Sequence, residues 1–318
     1  MMRWERLRIA LFVCLAIFAA AGEGMAAKAW PEKTVQIIAP FRAGGDTDFN
    51  ARVYAKYLRQ ELGAPFVVVN IDGGGGTLGS RKAKDAAPDG YTVLFYHSAM
   101  LVNTAAGTAD YTFRDFEMVG IAGEEPGNIL CVLKKTNYNN LKDLMEESRA
   151  NPNKLSITGN VGATTYLAAL LLNQAGGMFN IVDHGGSAQR ITALLGGHVD
   201  VIINPYGTVK PYLESGEFKA LAVLNTQRNP KFSTIPTAKE QGYDAAFQYR
   251  YFFLFPKGTP KEIVDKLAGA VQKIVSSNKE YAADIDKAYS QITLFLSPAD
   301  SVAFLQAQEA LIGKVKMK

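Results

Sequence analysis

Two α/β lobes are the fold this sequence predicts. Short apolar runs alternate with amphipathic stretches along nearly the whole chain. The runs are too short for helices and rich in β-branched and aromatic residues, while the stretches between them carry helical apolar spacing. The chain beyond its N-terminal segment, roughly 290 residues, is too long for one ordinary core. Alternation of strand and helix argues for parallel sheets covered by helices.

The N-terminus carries Arg3, Arg6 and Arg8, then an apolar run from Ile9 to Ala21, then mostly small residues up to Ala27. A basic start, a short apolar middle and a small-residue end make a secretory signal peptide. The run falls short of the ~20 residues that span a bilayer. Gly24 and Ala26 stand at −3 and −1 for cleavage after Ala26, so residues 1–26 are expected to be removed. Cys14 goes with them. Cys131 then has no partner for a disulfide within one mature chain, and its apolar surroundings mark it as a small buried hydrophobe.

Nine segments have strand character: Val35–Ala39, Phe66–Val69, Tyr91–Phe95, Ile129–Leu133, Leu155–Thr158, Ile181–Asp183, Val199–Ile203, Ala220–Leu224 and Tyr251–Phe255. Helical stripes lie between them. Phe49, Val53 and Tyr57 follow Thr47 as N-cap, and Leu141, Leu144, Met145 and Ser148 form a second stripe. Thr259-Pro260-Lys261-Glu262 has capping-box order, with Val264, Leu267 and Val271 as the buried face. Ser297-Pro298 opens a last helix with Phe304 and Leu311 inward.

In α/β sheets ligands bind where strand ends meet helix N-termini, whose free N–H groups favour anions. Four such loops are rich in Gly, Ser and Thr: Pro40–Asp48, Asp72–Ser80, Gly159–Thr165 and His184–Gln189. The second contains G-x-G-x-x-G at Gly74, Gly76 and Gly79. It does not follow the first strand, and the next strand ends without a carboxylate, so dinucleotide binding is not expected. The third and fourth loops supply hydroxyls and open N–H groups with little charge, which suits a carboxylate held by neutral hydrogen bonds.

Catalytic constellations are poor. His97, His184 and His198 fit no zinc-binding spacing, no Walker A sequence occurs, and Ser187 lacks a G-x-S-x-G elbow. The chain is therefore expected not to be an enzyme and to need neither metal nor cofactor. Its formal charge is +4, and no basic stripe alternates with aromatics, so nucleic acid is not an expected partner.

Several motifs recur in order from Trp30 to the C-terminus. They are Trp30-Pro31-Glu32-Lys33, Pro40-Phe41 with Gly44-Gly45 and Thr47-Asp48, Ala87–Thr92, Gly186-Ser187-Ala188 and Leu194–Asp200. Pro236-Thr237 through Glu240–Tyr243 and Pro256–Pro260 complete the set. In these the sequence resembles the Bug-type solute receptors of tripartite tricarboxylate transporters.

The resemblance implies the type II periplasmic-binding-protein fold: two lobes with mixed, mostly parallel sheets and a hinge of crossing strands. It implies lobe one at 27–127 plus 252–318 and lobe two at 128–251. It implies a monomer in the periplasm that captures a small carboxylic acid (dicarboxylate, tricarboxylate, amino acid or aromatic acid) and delivers it to membrane permease subunits. Carried onto this chain, the site takes Phe41, Gly44, Gly45, Thr47 and Asp48, the Ser98 region, Thr164 and Thr165, and Gly186, Ser187 and Ala188. Asp48 has a second reading as a structural cap, since a carboxylate repels an anionic ligand. Other functional readings are a ligand sensor for a membrane signalling partner and an exported hydrolase.

The chain departs from the family pattern at Arg42, Tyr166, His184, Gly185, Gln189, Arg190 and Arg250. One expectation is that Arg42, His97, His184 or Arg250 makes a charge-assisted contact with a second anionic group on the ligand. The competing expectation is that the arginines are solvated surface residues.

Overall fold

The computed structural model describes residues 30–317, and the expected signal peptide lies outside them. The first sheet has six strands, in the spatial order Phe66–Asn70, Val35–Ala39, Thr92–His97, Arg250–Pro256, Phe116–Glu124 and Ile292–Leu296. These strands are β1 (Val35–Ala39), β2 (Phe66–Asn70), β3 (Thr92–His97), β4 (Phe116–Glu124), β10 (Arg250–Pro256) and β11 (Ile292–Leu296). The second lobe holds β5 (Asn128–Leu133) between β8 (Ile202–Pro205) and β9 (Phe218–Leu224), and a parallel pair of β6 (Ser156–Thr158) and β7 (Asn180–Val182). The isolated bridge Ile157–Val201 lies between that pair and the start of β8.

The sheets are mixed. β1 pairs in parallel with β2 and β3, as strand–helix alternation requires. The pairings of β10 with β3 and β4, of β11 with β4, and of β5 with β8 and β9 are antiparallel. The antiparallel share is thus larger than alternation alone suggests. It arises where the chain crosses between lobes and returns, because returning strands run against those already in place. At the crossing, Glu125 N–H donates to the Tyr249 carbonyl (3.2 Å) and Asn225 Nδ2 to the Pro126 carbonyl (2.9 Å), so outgoing and returning segments brace one another.

All nine expected strands are present, with ends moved by a few residues. β4 and β11 were not expected. Gly120, Gly123 and two glutamates break the apolar pattern of β4, although it is paired on both sides, between β10 and the edge strand β11.

The helices are α1 (Asp46–Leu62), α2 (Thr77–Lys84), α3 (Ala99–Ala105), α4 (Leu141–Ala150), α5 (Thr164–Gln174), α6 (Ser187–Leu195), α7 (Tyr206–Glu214), α8 (Lys261–Ser277), α9 (Lys279–Tyr289) and α10 (Pro298–Ile312). Gly45, not Thr47, is the N-cap of α1, and Thr47 sits buried in its first turn. α8 starts one residue late: Pro260 is its cap, and the Thr259 hydroxyl bonds back to the Pro256 carbonyl. Ser297 caps α10 as expected, through the Asp300 N–H. Its fully buried apolar residues are Leu305 and Ile312; Phe304 packs against the same core half-buried, whereas Leu311 is 53% exposed.

β5 shows why the second lobe holds. Leu130 and Val132 belong to one buried cluster, while Ile129 and Cys131 belong to the other. Period-two alternation sends successive side chains to opposite faces, so both faces are covered. Each fully buried Leu, Ile or Val contributes about 1.5–3 kcal/mol. Cys131 is fully buried, and burial pushes its thiol far above the ordinary range.

The glycine loop 73–79 is used for packing. The Tyr96 hydroxyl donates to the Gly75 carbonyl (2.7 Å), and a Cβ on Gly76 would run into that tyrosine. Asn103 Nδ2 donates to Gly75 O (3.2 Å) and also to Gly162 O, joining α3 of the first lobe to the loop before α5 of the second. Tyr166, on α5, donates to the Met317 carbonyl (3.2 Å), so the C-terminal segment also reaches the second lobe.

Candidate binding site

One cavity of about 50 Å³ lies between the lobes. By volume it holds about three to five waters or one compact solute. Three helices point their N-termini at it: α1 from the first lobe, α5 and α6 from the second. Their N-caps Gly45, Ala163 and Gly186 are extended and provide no side-chain cap. The first N–H groups of a helix have no intrahelical acceptor, and they carry the positive end of the helix dipole. The sequence achieves this by placing Gly or Ala where Ser, Asp or Asn would otherwise consume those donors.

Phe41, Arg42 and Gly45 line the cavity from the loop before α1, and His97 lines it from the end of β3. Thr164, Thr165, Gly186, Ser187 and Ala188 line it from the second lobe. Gly44, Thr47, Asp48, Ser98, His184 and Arg250 are not among the lining residues. Asp48 braces its own loop: its carboxylate accepts from Gly44 N–H (3.0 Å), Arg52 Nε (3.0 Å) and Asn70 Nδ2 (2.9 Å). Burial pushes its pKa upward, but Arg52, the Gly44 N–H and Asn70 outweigh that, and the net shift is downward. The structural reading of Asp48 is the one its contacts support. The Ser98 hydroxyl accepts from Arg250 N–H (3.2 Å) within the first lobe.

Neither arginine expected to reach for a second anionic group is poised to do so. Arg250 is paired with Glu124 (2.7 Å) and lies over the Phe304 ring (4.1 Å to its centroid). Arg42 reaches the cavity rim, but its side chain is 68% exposed and paired with Asp72 (2.6 Å). His184 lies outside the lining with a buried Nδ1 that has no partner. His97 is buried, stacked on Phe41 (5.3 Å between centroids), and its Nδ1 accepts from Ala99 N–H (3.2 Å). Burial holds its pKa down at about 4, so at neutral pH it is uncharged and offers an Nε2–H donor.

The buried cation in the cavity is Arg190, which in the sequence stands out only as a departure from the family pattern. It is 4% exposed. Its Nε donates to Asn204 Oδ1 (2.7 Å), one terminal nitrogen to the Gly185 carbonyl (2.5 Å) and the other to the Ser187 hydroxyl (3.2 Å). It makes no ion pair with any carboxylate among the described residues. Burial pulls its pKa down to about 10, with Asp46, Tyr249 and Asp183 opposing, so it is charged at neutral pH. A buried charge without a counter-charge is costly unless something supplies one.

Asp46 at the start of α1 also lines the cavity, and its Oδ2 accepts from the hydroxyls of Tyr251 (2.8 Å) and Tyr249 (3.4 Å). Burial first, then nearby acids, raises both phenols well above their ordinary range, which keeps them protonated as donors. Behind them Glu125 Oε2 lies 3.3 Å from the Tyr251 oxygen. Burial first, then the charge of Asp46, pushes the Glu125 carboxyl well above the usual range. Asp46, Asn160, Ala163, Gln189 and Arg190 all fall within or beside loops the sequence singled out. Asn128, Pro205 and Tyr249 come from strand ends and the crossing segment, where no local motif announces them.

Two lobes around one small interlobe cavity define the class, a solute-binding receptor. The sequence profile described as "Tripartite tricarboxylate transporter family receptor" matches residues 50–291. Protein BugT of Bordetella pertussis is 30% identical over 276 residues, 85% of this chain and 83% of that one. MatC from Rhodopseudomonas palustris, solved with bound malate, superposes with a TM-score of 0.83 at 25% identity, covering 91% of this chain and 100% of its own. A second R. palustris protein, solved with adipate, gives 0.83 at 27% identity, covering 90% and 99%. The chain belongs to the tripartite tricarboxylate transporter receptor family, as its resemblance to Bug-type receptors implied, and its relatives are receptors, not enzymes. None of the described helices is long and apolar enough to cross a membrane.

Proposed function

We propose that this chain is an exported receptor that captures a small carboxylate between its lobes and hands it to a tripartite tricarboxylate-type membrane transporter. Arg190 carries the reading: a buried guanidinium, charged and lacking a carboxylate partner, beside the bare N-termini of α5 and α6. A ligand carboxylate supplies the missing counter-charge and takes N–H bonds from these second-lobe helix ends, while the α1 N-terminus on the opposite wall brings in the first lobe. Binding of malate and adipate by relatives of the same fold supports the ligand class. The basic, apolar, small-residue leader supports export to the periplasm with cleavage after Ala26. We assign lobe one to 27–127 plus 252–318 and lobe two to 128–251; the crossing at Glu125–Gly127 supports the division.

Isothermal titration of the mature protein against dicarboxylates, tricarboxylates, amino acids and aromatic acids tests the ligand class. At least one is expected to bind at micromolar or tighter Kd. Folded protein that binds none of them would overturn the reading.

A further inference from the structure

Ligand charge is where the cavity says more than its family does. Two of its lining side chains carry charges that the protein does not itself pair: Arg190 from the second lobe and Asp46 from the first. Arg42 also reaches the rim, but Asp72 and solvent already satisfy it. The formal charge at the centre is therefore zero. A dicarboxylate would seat one anionic end on Arg190 and bring the other toward Asp46, where like charges repel.

A second observation points the same way. Asn128 lines the cavity, is 2% exposed, and its Oδ1 has no hydrogen-bond partner. Asp46 accepts bonds from two phenols but forms no ion pair. A carboxylate and an amide oxygen at one cavity are acceptors awaiting a donor. A protonated amine is all donor, with three N–H groups and a charge that answers Asp46.

From this charge pattern, and resting on the carboxylate reading above, we infer that the cleft takes a zwitterion, with its carboxylate toward Arg190 and its protonated amine toward Asp46 and Asn128. Asp46 is then the residue that sets specificity. It favours amino acids over dicarboxylates such as the malate and adipate bound in the two R. palustris structures.

The test is calorimetry on the mature protein with five four-carbon probes: 2-aminobutyrate, 4-aminobutyrate, 4-hydroxybutyrate, butyrate and succinate. One of the two amino acids is expected to bind at least tenfold more tightly than the other three classes. In Asp46→Asn that preference should shrink at least tenfold, while succinate gains. The inference is overturned if hydroxybutyrate, butyrate or succinate matches the better amino acid in the wild type, or if Asp46→Asn leaves the order unchanged. Should Asp46→Asn fail to fold, the wild-type order decides alone. Binding of succinate or butyrate without either amino acid removes the zwitterion and leaves carboxylate capture standing. No binding by any of the five also removes it, and the broader acid panel then judges carboxylate capture separately.

Discussion

Asp46 and Arg190 line one cavity from helices of different lobes and form no ion pair with each other. A protein that needed these charges only for its own stability would have joined them. Each is instead held by neutral groups: Asp46 by two phenols, Arg190 by an amide, a carbonyl and a hydroxyl. That holds both side chains in fixed geometry before any ligand arrives, which limits the entropy lost on binding.

Replacing Arg190 with Gln should weaken ligand binding by about 2–5 kcal/mol, the usual loss when one partner of a buried charge pair is removed. That corresponds to a Kd about thirtyfold to several thousandfold weaker. Arg190→Lys should recover little, because one ammonium cannot reproduce three diverging bonds to Asn204, Gly185 and Ser187. Titration of the two variants checks both points.

Arg250→Ala should separate stability from binding. It strips the partner from Glu124, which is left to Gln248, and uncovers Phe304. Unfolding free energy should fall by about 2–3 kcal/mol. Arg42→Ala removes an exposed pair and should cost at most about 1 kcal/mol. Neither should move ligand Kd by more than about twofold, since both guanidiniums are already paired; urea melts and titrations read the two quantities independently.

His97 makes stability depend on acid. Its folded pKa of about 4 lies below its unfolded value of 6.5, so the unfolded chain binds the proton more readily between those limits. The contribution of the neutral ring is complete above pH 6.5 and is lost as pH falls toward 4, about 3 kcal/mol in all. His97→Asn keeps an acceptor near the Ala99 N–H but does not titrate. Its unfolding free energy, measured from pH 7 to pH 4, should fall less steeply than the wild type's.

Tyr54 is a stability test far from the cavity. Its hydroxyl donates to the Ala122 carbonyl (3.0 Å) and lies 2.6 Å from the Tyr281 hydroxyl, joining α1, β4 and α9 in a fully buried place. Tyr54→Phe keeps the ring and leaves the carbonyl and Tyr281 short of a partner. A loss of about 1–3 kcal/mol is expected in chemical denaturation, with ligand affinity unchanged.

Much of the scaffold was legible because strand composition and helix caps are local signals. Val35–Ala39 and the Ser297 cap occur where composition puts them. Thr47 and Thr259 do not serve as caps, because Ser and Thr side chains bond locally in several ways, and here Gly45 and Pro260 hold the cap positions. The cavity loops were readable from their glycines and hydroxyls. The charges within them were not. Arg42, Arg190 and Arg250 look alike in a sequence, and only tertiary packing decides which guanidinium is solvated, which is stacked on Phe304 and which is buried without a counter-charge. Tyr249 and Asn128 come from segments whose meeting depends on the chain crossing twice between lobes, a relationship no window of sequence contains.

Cys131 has a practical consequence. It is the free cysteine among the described residues, lies out of solvent's reach in the second-lobe core, and burial disfavours its thiolate. Maleimide and similar reagents should therefore pass it by in the folded protein. A single thiol introduced at Ala43, exposed and at the cavity rim, would take an environment-sensitive dye without competition. The natural protein is thus already a clean chassis for an optical biosensor, in which the brightness of one fluorophore reports solute occupancy in real time.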